Sequence, residues 1–179
     1  MQGALIERIT GRTLDVVLAE RIFEPLGMTD TAFFTPAEKR GRRPAYLNAD
    51  LSPVDPAVDV YDDPPGFASG SGGLVSTADD LLAFQRLLLE GRESLRPMMI
   101  DHLTAEQRAA STLFLEGDGW GYGGSVNLET GRYGWIGGTG TTAHVLPSAN
   151  RVAILLTQVQ MGGPTPTPLM RDFWQAVGV

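Results

Sequence analysis

The chain lacks several residue types that common catalytic and membrane-bound proteins need. Its 179 residues contain no cysteine, which excludes a disulfide framework, a thiol nucleophile and a cysteine-based metal site. The two histidines, His102 and His144, do not have the helical spacing of a zinc site, so we expect no metal. No apolar run reaches the roughly 18 residues that a membrane-spanning helix needs. The first residues also lack the basic flank and apolar stretch of a signal peptide, so none is expected in this sequence.

The balance of charge excludes another class of partner. Acidic side chains outnumber basic ones, 21 to 14, and the formal net charge is −7. Proteins that bind nucleic acid present a basic stripe or patch, so we expect no nucleic-acid partner. A nucleotide cofactor is not expected either. Residues 70–73 are rich in glycine and precede a predicted helix, but the Gly-Lys-Ser/Thr of a phosphate-binding loop does not follow them.

Lysine is nearly absent, and this excludes one serine-nucleophile arrangement. In a Ser-x-x-Lys pair the lysine, one helical turn after the serine, takes the serine proton. The only lysine is Lys39, and Pro36 stands three residues before it, so this sequence contains no such pair. The Gly-x-Ser-x-Gly elbow of α/β-hydrolases is also absent. A triad that uses His102 or His144 stays open, although a structural role is favoured for each histidine.

Helical periodicity dominates the first part of the chain. Apolar residues recur at helical spacing over residues 5–9 and 14–23. A stronger helix is predicted over residues 78–90, where leucines form a wide apolar face. Residues 97–110 predict one or two short helices. Residues 35–66 are rich in proline and acidic side chains, and they predict a long loop.

The hydrophobic period changes to two in the second part of the chain, which indicates strands. Five strands are predicted, and polar or Gly-containing turns separate most of them. They cover residues 112–115, 119–128, 133–138, 142–147 and 151–158. A final helix is predicted over residues 169–177.

These patterns predict a single α+β domain over residues 1–179. Residues 1–111 are expected to be mainly helices and loops, and residues 112–179 to be antiparallel strands and a final helix. The most informative stretch is 131–158, a predicted strand pair whose first strand is rich in glycine. Glycine in a strand indicates that something approaches its backbone closely, and we interpret the approaching group as a substrate carbonyl.

Three segments carry a family resemblance. They are residues 3–33 (GALIERITGRTLDVVLAERIFEPLGMTDTAF), 69–91 (SGSGGLVSTADDLLAFQRLLLEG) and 131–158 (GRYGWIGGTGTTAHVLPSANRVAILLTQ). They resemble, in the same order, three parts of the β-lactamase-related serine hydrolases: the helix pair after the Tyr-x-Asn motif, the Gly-Gly-Leu-x-Ser-Thr helix start, and the last hairpin. This group includes class C β-lactamases, D-alanyl-D-alanine carboxypeptidases and family VIII esterases. The resemblance implies a partial β-lactamase/transpeptidase-like fold.

The resemblance also implies site residues, four of them in the last hairpin. Trp135, Ile136 and Gly137 stand at the family's Lys-Thr-Gly motif, as in the Trp-x-Gly variants of family VIII esterases. The backbone N–H of Gly138 stands where the family has half of its oxyanion hole. Gly72 aligns with a pocket tyrosine of class C β-lactamases, which implies a wider substrate site. Because tryptophan offers an apolar wall in place of a cation, the expected substrates are small esters, amides or peptides without a carboxylate.

The same resemblance indicates what this sequence lacks. The family's Ser-x-x-Lys and Tyr-x-Asn motifs precede the helix pair with which this sequence begins. Tyr46-Leu47-Asn48 follows that pair, so its pattern is a coincidence. The sequence therefore resembles the C-terminal half of a family member, and we expect it to be inactive alone. Apolar faces without their family partners predict instability or self-association through exposed apolar surface. An alternative is a non-catalytic binding or interaction protein on the same scaffold.

Overall fold

A computed structural model describes residues 2–55 and 61–179. The chain divides into two compact units. We call them the N-terminal unit (Met1–Ala45 and Val54–Ala83) and the C-terminal unit (Tyr46–Pro53 and Phe84–Val179). Residues 56–60 of the predicted loop lie outside the described residues. The single domain over residues 1–179 stays a prediction.

Short helices form much of the N-terminal unit. They are α1 (Gln2–Thr10), α2 (Leu14–Leu18), a π-helical turn (Ala19–Phe23), α3 (Glu24–Leu26) and a 3-10 helix (Ala37–Arg42). Gly11 and Gly27 follow α1 and α3 with φ of 67° and 68°, a left-handed conformation that glycine adopts at little cost. The helical stretch predicted to end at residue 23 continues to Leu26. Pro25 does not stop it, because the missing N–H of a proline needs no partner in the first turn of α3.

A longer helix and an antiparallel sheet dominate the rest of the chain. Helix α4 (Ala78–Leu89) contributes residues to both units and ends one residue before its predicted end. The C-terminal unit continues with a 3-10 helix (Arg96–Met99), α5 (Ala105–Ala110), α6 (Thr112–Leu115), β1 (Gly119–Trp120), β2 (Ser125–Val126), β3 (Tyr133–Gly137), β4 (Thr141–Leu146), a 3-10 turn (Pro147–Ala149), β5 (Arg151–Leu156) and α7 (Pro168–Val177). The strands pair in the order β1-β2-β3-β4-β5, each antiparallel to the next. The α+β class with an antiparallel sheet and a final helix is confirmed.

Two of the strand predictions are wrong. Residues 112–115 instead form α6, which continues the helical path of α5. Only Ser111 separates the two helices, and its C=O accepts a hydrogen bond from the N–H of Leu115 in α6 at 3.0 Å. The strand region therefore begins at residue 119. The strand predicted over residues 119–128 is interrupted, so that β1 and β2 are separate. Gly121 lies in the interruption, where a Cβ atom would come 1.9 Å from the carbonyl oxygen of Met98.

The sheet has packing partners on both faces. On one face, Leu88 of α4 belongs to a buried cluster with three residues of the sheet, Val126, Tyr133 and Val145. On the other face, the ring of Trp174 in α7 meets the ring of His144 edge to face, with centroids 5.1 Å apart. Packing on both sides fixes the positions of β3 and β4, and with them the Gly-rich turn that joins these strands.

Some apolar side chains are not covered. Ile9, Leu51 and Leu113 are 76%, 65% and 62% exposed. Isolated exposed apolar residues are ordinary in folded proteins, so self-association stays a prediction. The described residues include no helix with both the length and the apolar character that a membrane crossing requires.

Candidate active site

The turn between β3 and β4 is held by backbone hydrogen bonds. The N–H of Gly140 donates to the C=O of Gly137 at 2.9 Å, which closes the hairpin. The N–H of Met161 donates to the C=O of Gly138, also at 2.9 Å. The hydroxyl of Thr157 donates to the C=O of Gly140 at 2.7 Å. The carbonyl groups of Gly137, Gly138 and Gly140 are thus occupied, and the turn is tied to the segment that follows β5.

Unlike these carbonyl groups, the N–H of Gly138 has no hydrogen-bond partner among the described residues. Gly138 is exposed, and a Cβ atom built on it would have no other atom within 4 Å. An unpaired, accessible backbone N–H on a fixed turn can donate to an oxygen atom of a bound molecule.

The outer edge of β3 is open next to this turn. Strand β2 pairs only with Tyr133 and Gly134, so no described strand covers the outer edge of β3 beyond Gly134. Backbone groups of successive residues in a strand point to alternate sides. Since Gly137 bonds across the hairpin, the backbone N–H and C=O of Ile136 face the open edge. A substrate that lies along this edge would meet the main chain of Ile136 and then the N–H of Gly138.

Two other glycines of the hairpin, Gly134 and Gly137, leave no room for a substrate at their Cβ positions. A Cβ atom on Gly134 would come 2.1 Å from the carbonyl oxygen of Ala143 and 2.7 Å from the Cα atom of His144. A Cβ atom on Gly137 would come 2.5 Å from the Thr141 hydroxyl. At these two positions the close neighbour is strand β4 itself. Of the three glycines Gly134, Gly137 and Gly138, only Gly138 has open space at its Cβ position, as our interpretation of a substrate carbonyl requires.

Trp135 and Ile136 are successive residues of β3, and both line one cavity of the C-terminal unit. The ring of Trp135 packs edge to face on Trp120 of β1, with centroids 4.6 Å apart. Trp120 is a supporting residue that the sequence analysis did not identify. Its only signal was an aromatic residue among glycines. The groups of Ile136 that face the open edge of β3 belong to its main chain, so its expected contact with a substrate would come from there.

Gly72 lies in the N-terminal unit, whereas Trp135, Ile136, Gly137 and Gly138 lie together in the C-terminal unit. Gly72 is exposed, and a Cβ atom on it would have no other atom within 4 Å. Its role in a substrate pocket stays a prediction.

Tyr46-Leu47-Asn48 has a structural setting. The N–H of Leu47 donates to Gln158 at 2.6 Å, and the C=O of Leu47 accepts from Gln160 at 2.8 Å. The amide of Asn48 donates to the Ser52 hydroxyl at 3.0 Å. The segment therefore contributes backbone pairing to the C-terminal unit. This setting agrees with the interpretation that its Tyr-x-Asn pattern is a coincidence.

Among the residues that the structure describes, neither histidine is hydrogen-bonded to a serine and an acid as in a triad. The ring of His144 is 2% exposed, and its Nδ1 lies 2.9 Å from the Thr142 hydroxyl. The ring of His102 stacks on Tyr122 with centroids 4.3 Å apart, and its Nε2 lies 2.7 Å from the C=O of Pro97. In the described part of the chain, no group of three or more His, Asp or Glu side chains is arranged to hold a metal ion.

Burial makes His144 a pH-dependent element of stability. Removal from water, and secondarily the positive charge of Arg132, lower the pKa of His144 to about 3. The unfolded chain protonates the same ring near pH 6.5, so below that pH the unfolded state binds the extra proton. We expect the free energy of unfolding to fall as the pH drops from about 6.5 to about 4.5, with a slope approaching 1.4 kcal/mol per pH unit.

Urea unfolding at a series of pH values in this window measures that slope. The His144→Phe variant removes the titrating ring while keeping an aromatic side chain, and its stability should vary much less over the same window. An equal slope in the variant would contradict the assignment to His144.

A five-stranded antiparallel sheet between helices, with a Gly-rich turn beside an open strand edge, is typical of the β-lactamase/transpeptidase-like class. A family model described as Beta-lactamase matches residues 1–171, and the chain belongs to this family. The family and fold inferred from the sequence are thereby confirmed.

Three similar proteins show how far the sequence and the fold of this chain are shared. Protein Rv1367c of Mycobacterium tuberculosis is 33% identical, over 87% of this chain and 46% of that protein. The lovastatin esterase of Penicillium rubens is 28% identical, over 97% of this chain and 51% of the esterase. Simvastatin synthase from Aspergillus terreus has the same fold, with a TM-score of 0.75 and 23% identity, over 96% of this chain and 50% of the synthase. The chain spans about half the length of the curated relatives it matches.

Proposed function

We propose that this chain supplies the substrate-facing strand of a serine hydrolase that cleaves small esters, amides or peptides through an acyl-enzyme. The observation that carries the proposal is the unpaired N–H of the exposed residue Gly138, beside the open edge of β3. When a serine adds to a carbonyl carbon, the carbonyl oxygen becomes an oxyanion. A fixed N–H donor at that oxygen stabilises the transition state more than the substrate.

The wall beside this donor suggests the substrate class. Trp135 stands where the family resemblance expects a lysine, and Trp120 supports its ring. An indole ring offers apolar surface and one N–H donor, whereas an ammonium group attracts a carboxylate. Neutral acyl compounds are therefore favoured as substrates. The name of one relative, lovastatin esterase, agrees with this choice.

The nucleophile must come from outside these 179 residues. The sequence has no Ser-x-x-Lys pair, because Pro36 stands three residues before Lys39. Lys39 also has a structural partner, since its ammonium group lies 2.7 Å from the carboxylate of Asp30. The second oxyanion donor in this proposal is the N–H of the nucleophilic serine. The chain alone is consequently inactive.

The hydrolysis of p-nitrophenyl butyrate tests the proposal. We expect no turnover above the uncatalysed rate from the chain alone, and turnover from the chain joined to a family segment that contains Ser-x-x-Lys. A serine-to-alanine change in that segment is the control and should abolish turnover. If the chain alone showed turnover, and the His144→Ala or His102→Ala variant lost it, the proposal would be wrong and a triad with that histidine would explain the activity. A folded but inactive joined protein would favour the binding-protein alternative.

A further inference from the structure

A second candidate site lies on the face of the sheet that carries Ile136 and His144. It is a cavity of about 220 Å³ within the C-terminal unit, large enough for about seven water molecules at roughly 30 Å³ each. Ser125, His144 and Trp174 are buried residues of its wall. Phe114 and Pro166 also line it and are more exposed. The cavity is thus a pocket with a buried floor and accessible sides.

Two residues that line this cavity, Arg132 and Trp174, each have a buried hydrogen-bond donor without an acceptor. Within the described parts of the chain, neither Nε of Arg132 nor Nε1 of Trp174 has a partner, although both atoms are buried. The two side chains form one stacked pair, with the guanidinium carbon of Arg132 5.0 Å from the centroid of the Trp174 ring. Leaving a buried donor without an acceptor destabilises the folded state. Neither atom can accept a hydrogen bond, so only an acceptor can satisfy them.

The charges around the cavity cancel in pairs. Arg132 lies 3.2 Å from Asp118, and Arg171 lies 2.6 Å from Glu116. His144 is neutral near pH 7, because burial lowers its pKa to about 3. A charged ligand would lose its hydration here without gaining an unpaired counter-charge. The wall also holds polar residues such as Ser125 and Asn127, and the Trp174 ring and Ile136 offer apolar surface to part of a ligand.

We propose that this cavity binds a small, uncharged molecule with an apolar body and a carbonyl oxygen that accepts from the Arg132–Trp174 pair. Trp135 and Ile136 of the proposed substrate strand also line this cavity, but the proposed binding needs no hydrolase reaction. A carbonyl oxygen has two lone pairs and accepts from both donors without bringing a charge into the cavity. The competing occupant is ordered water, which would satisfy the same donors.

Three aromatic probes of similar size distinguish these occupants. Acetanilide carries a neutral carbonyl, phenylacetate a carboxylate, and benzylammonium only donors. The chain has three tryptophans, so the indole N–H signals of Trp120, Trp135 and Trp174 can be followed by NMR. We expect acetanilide to move the Trp174 indole proton downfield in a saturable manner and to leave the Trp120 signal in place. Phenylacetate and benzylammonium should bind at least about tenfold more weakly.

Titration of the unmodified chain with these probes is sufficient to test the proposal. No saturable shift with acetanilide would mean that only water fills the cavity, and binding of benzylammonium equal to that of acetanilide would overturn the acceptor requirement. The Trp174→Phe variant adds a second check, since it keeps an aromatic ring and removes one donor. Its affinity for acetanilide should fall by about three- to tenfold. An unchanged affinity in a variant with native circular dichroism would also contradict the proposal.

Discussion

Replacing Gly138 with proline is expected to lower kcat by about 100- to 1,000-fold in the joined, active form of the enzyme. Proline has no backbone N–H, so this change removes the proposed oxyanion donor itself. No hydrogen bond of the described residues uses that N–H in folding, and Gly138 is an exposed residue. The measurement is kcat for p-nitrophenyl butyrate, together with KM and the midpoint of urea unfolding.

The matched control for this prediction is Gly138→Ala. Alanine keeps the N–H, and its Cβ atom would meet no other atom within 4 Å. We therefore expect its kcat to stay within a few-fold of the parent enzyme. Equal kcat values in Gly138→Pro, Gly138→Ala and the parent would show that Gly138 does not donate to the oxyanion.

Replacing Gly134 with alanine is expected to lower the free energy of unfolding by about 3 kcal/mol or more. The added Cβ atom would come 2.1 Å from the carbonyl oxygen of Ala143, and 2.7 Å from the Cα and Cδ2 atoms of His144. Two of these three neighbours are main-chain atoms of a central strand, which cannot move without separating β3 from β4. Urea unfolding followed by circular dichroism measures the loss.

Gly138→Ala is also the matched control for this second prediction. It makes the same chemical change four residues away in the same hairpin, but at a position with open space. Its stability should differ from that of the parent by less than about 1 kcal/mol. If both variants lost the same stability, the cost would reflect the conformational freedom of glycine and not the contact with β4.

The sequence predicted the second part of the sheet well. Strands β3, β4 and β5 differ from their predictions by one or two residues at an end, because apolar alternation and turn residues mark these strands locally. Helix α6 was missed because four residues after another helix carry too little periodic signal. The interruption between β1 and β2 was missed because it depends on the close approach of Met98 to Gly121, a tertiary contact.

The candidate site was predictable only in part. The resemblance implied roles for Gly138 and Trp135, which stay predictions. It could not distinguish Gly138, which has open space at its Cβ position, from the glycines that pack against β4. That distinction depends on atoms of the neighbouring strand at Gly134 and Gly137. The cavity beside Ile136 was not predicted at all, because residues from several distant segments line it.

Labelling with a fluorophosphonate tests most directly the central claim, which is that this chain carries half of a hydrolase site and no nucleophile. These reagents react with the activated serine of serine hydrolases. Mass spectrometry of the treated chain alone should detect no labelled serine, whereas the joined protein should carry one label, on the serine of Ser-x-x-Lys. Stoichiometric labelling of a serine within these 179 residues would contradict the claim.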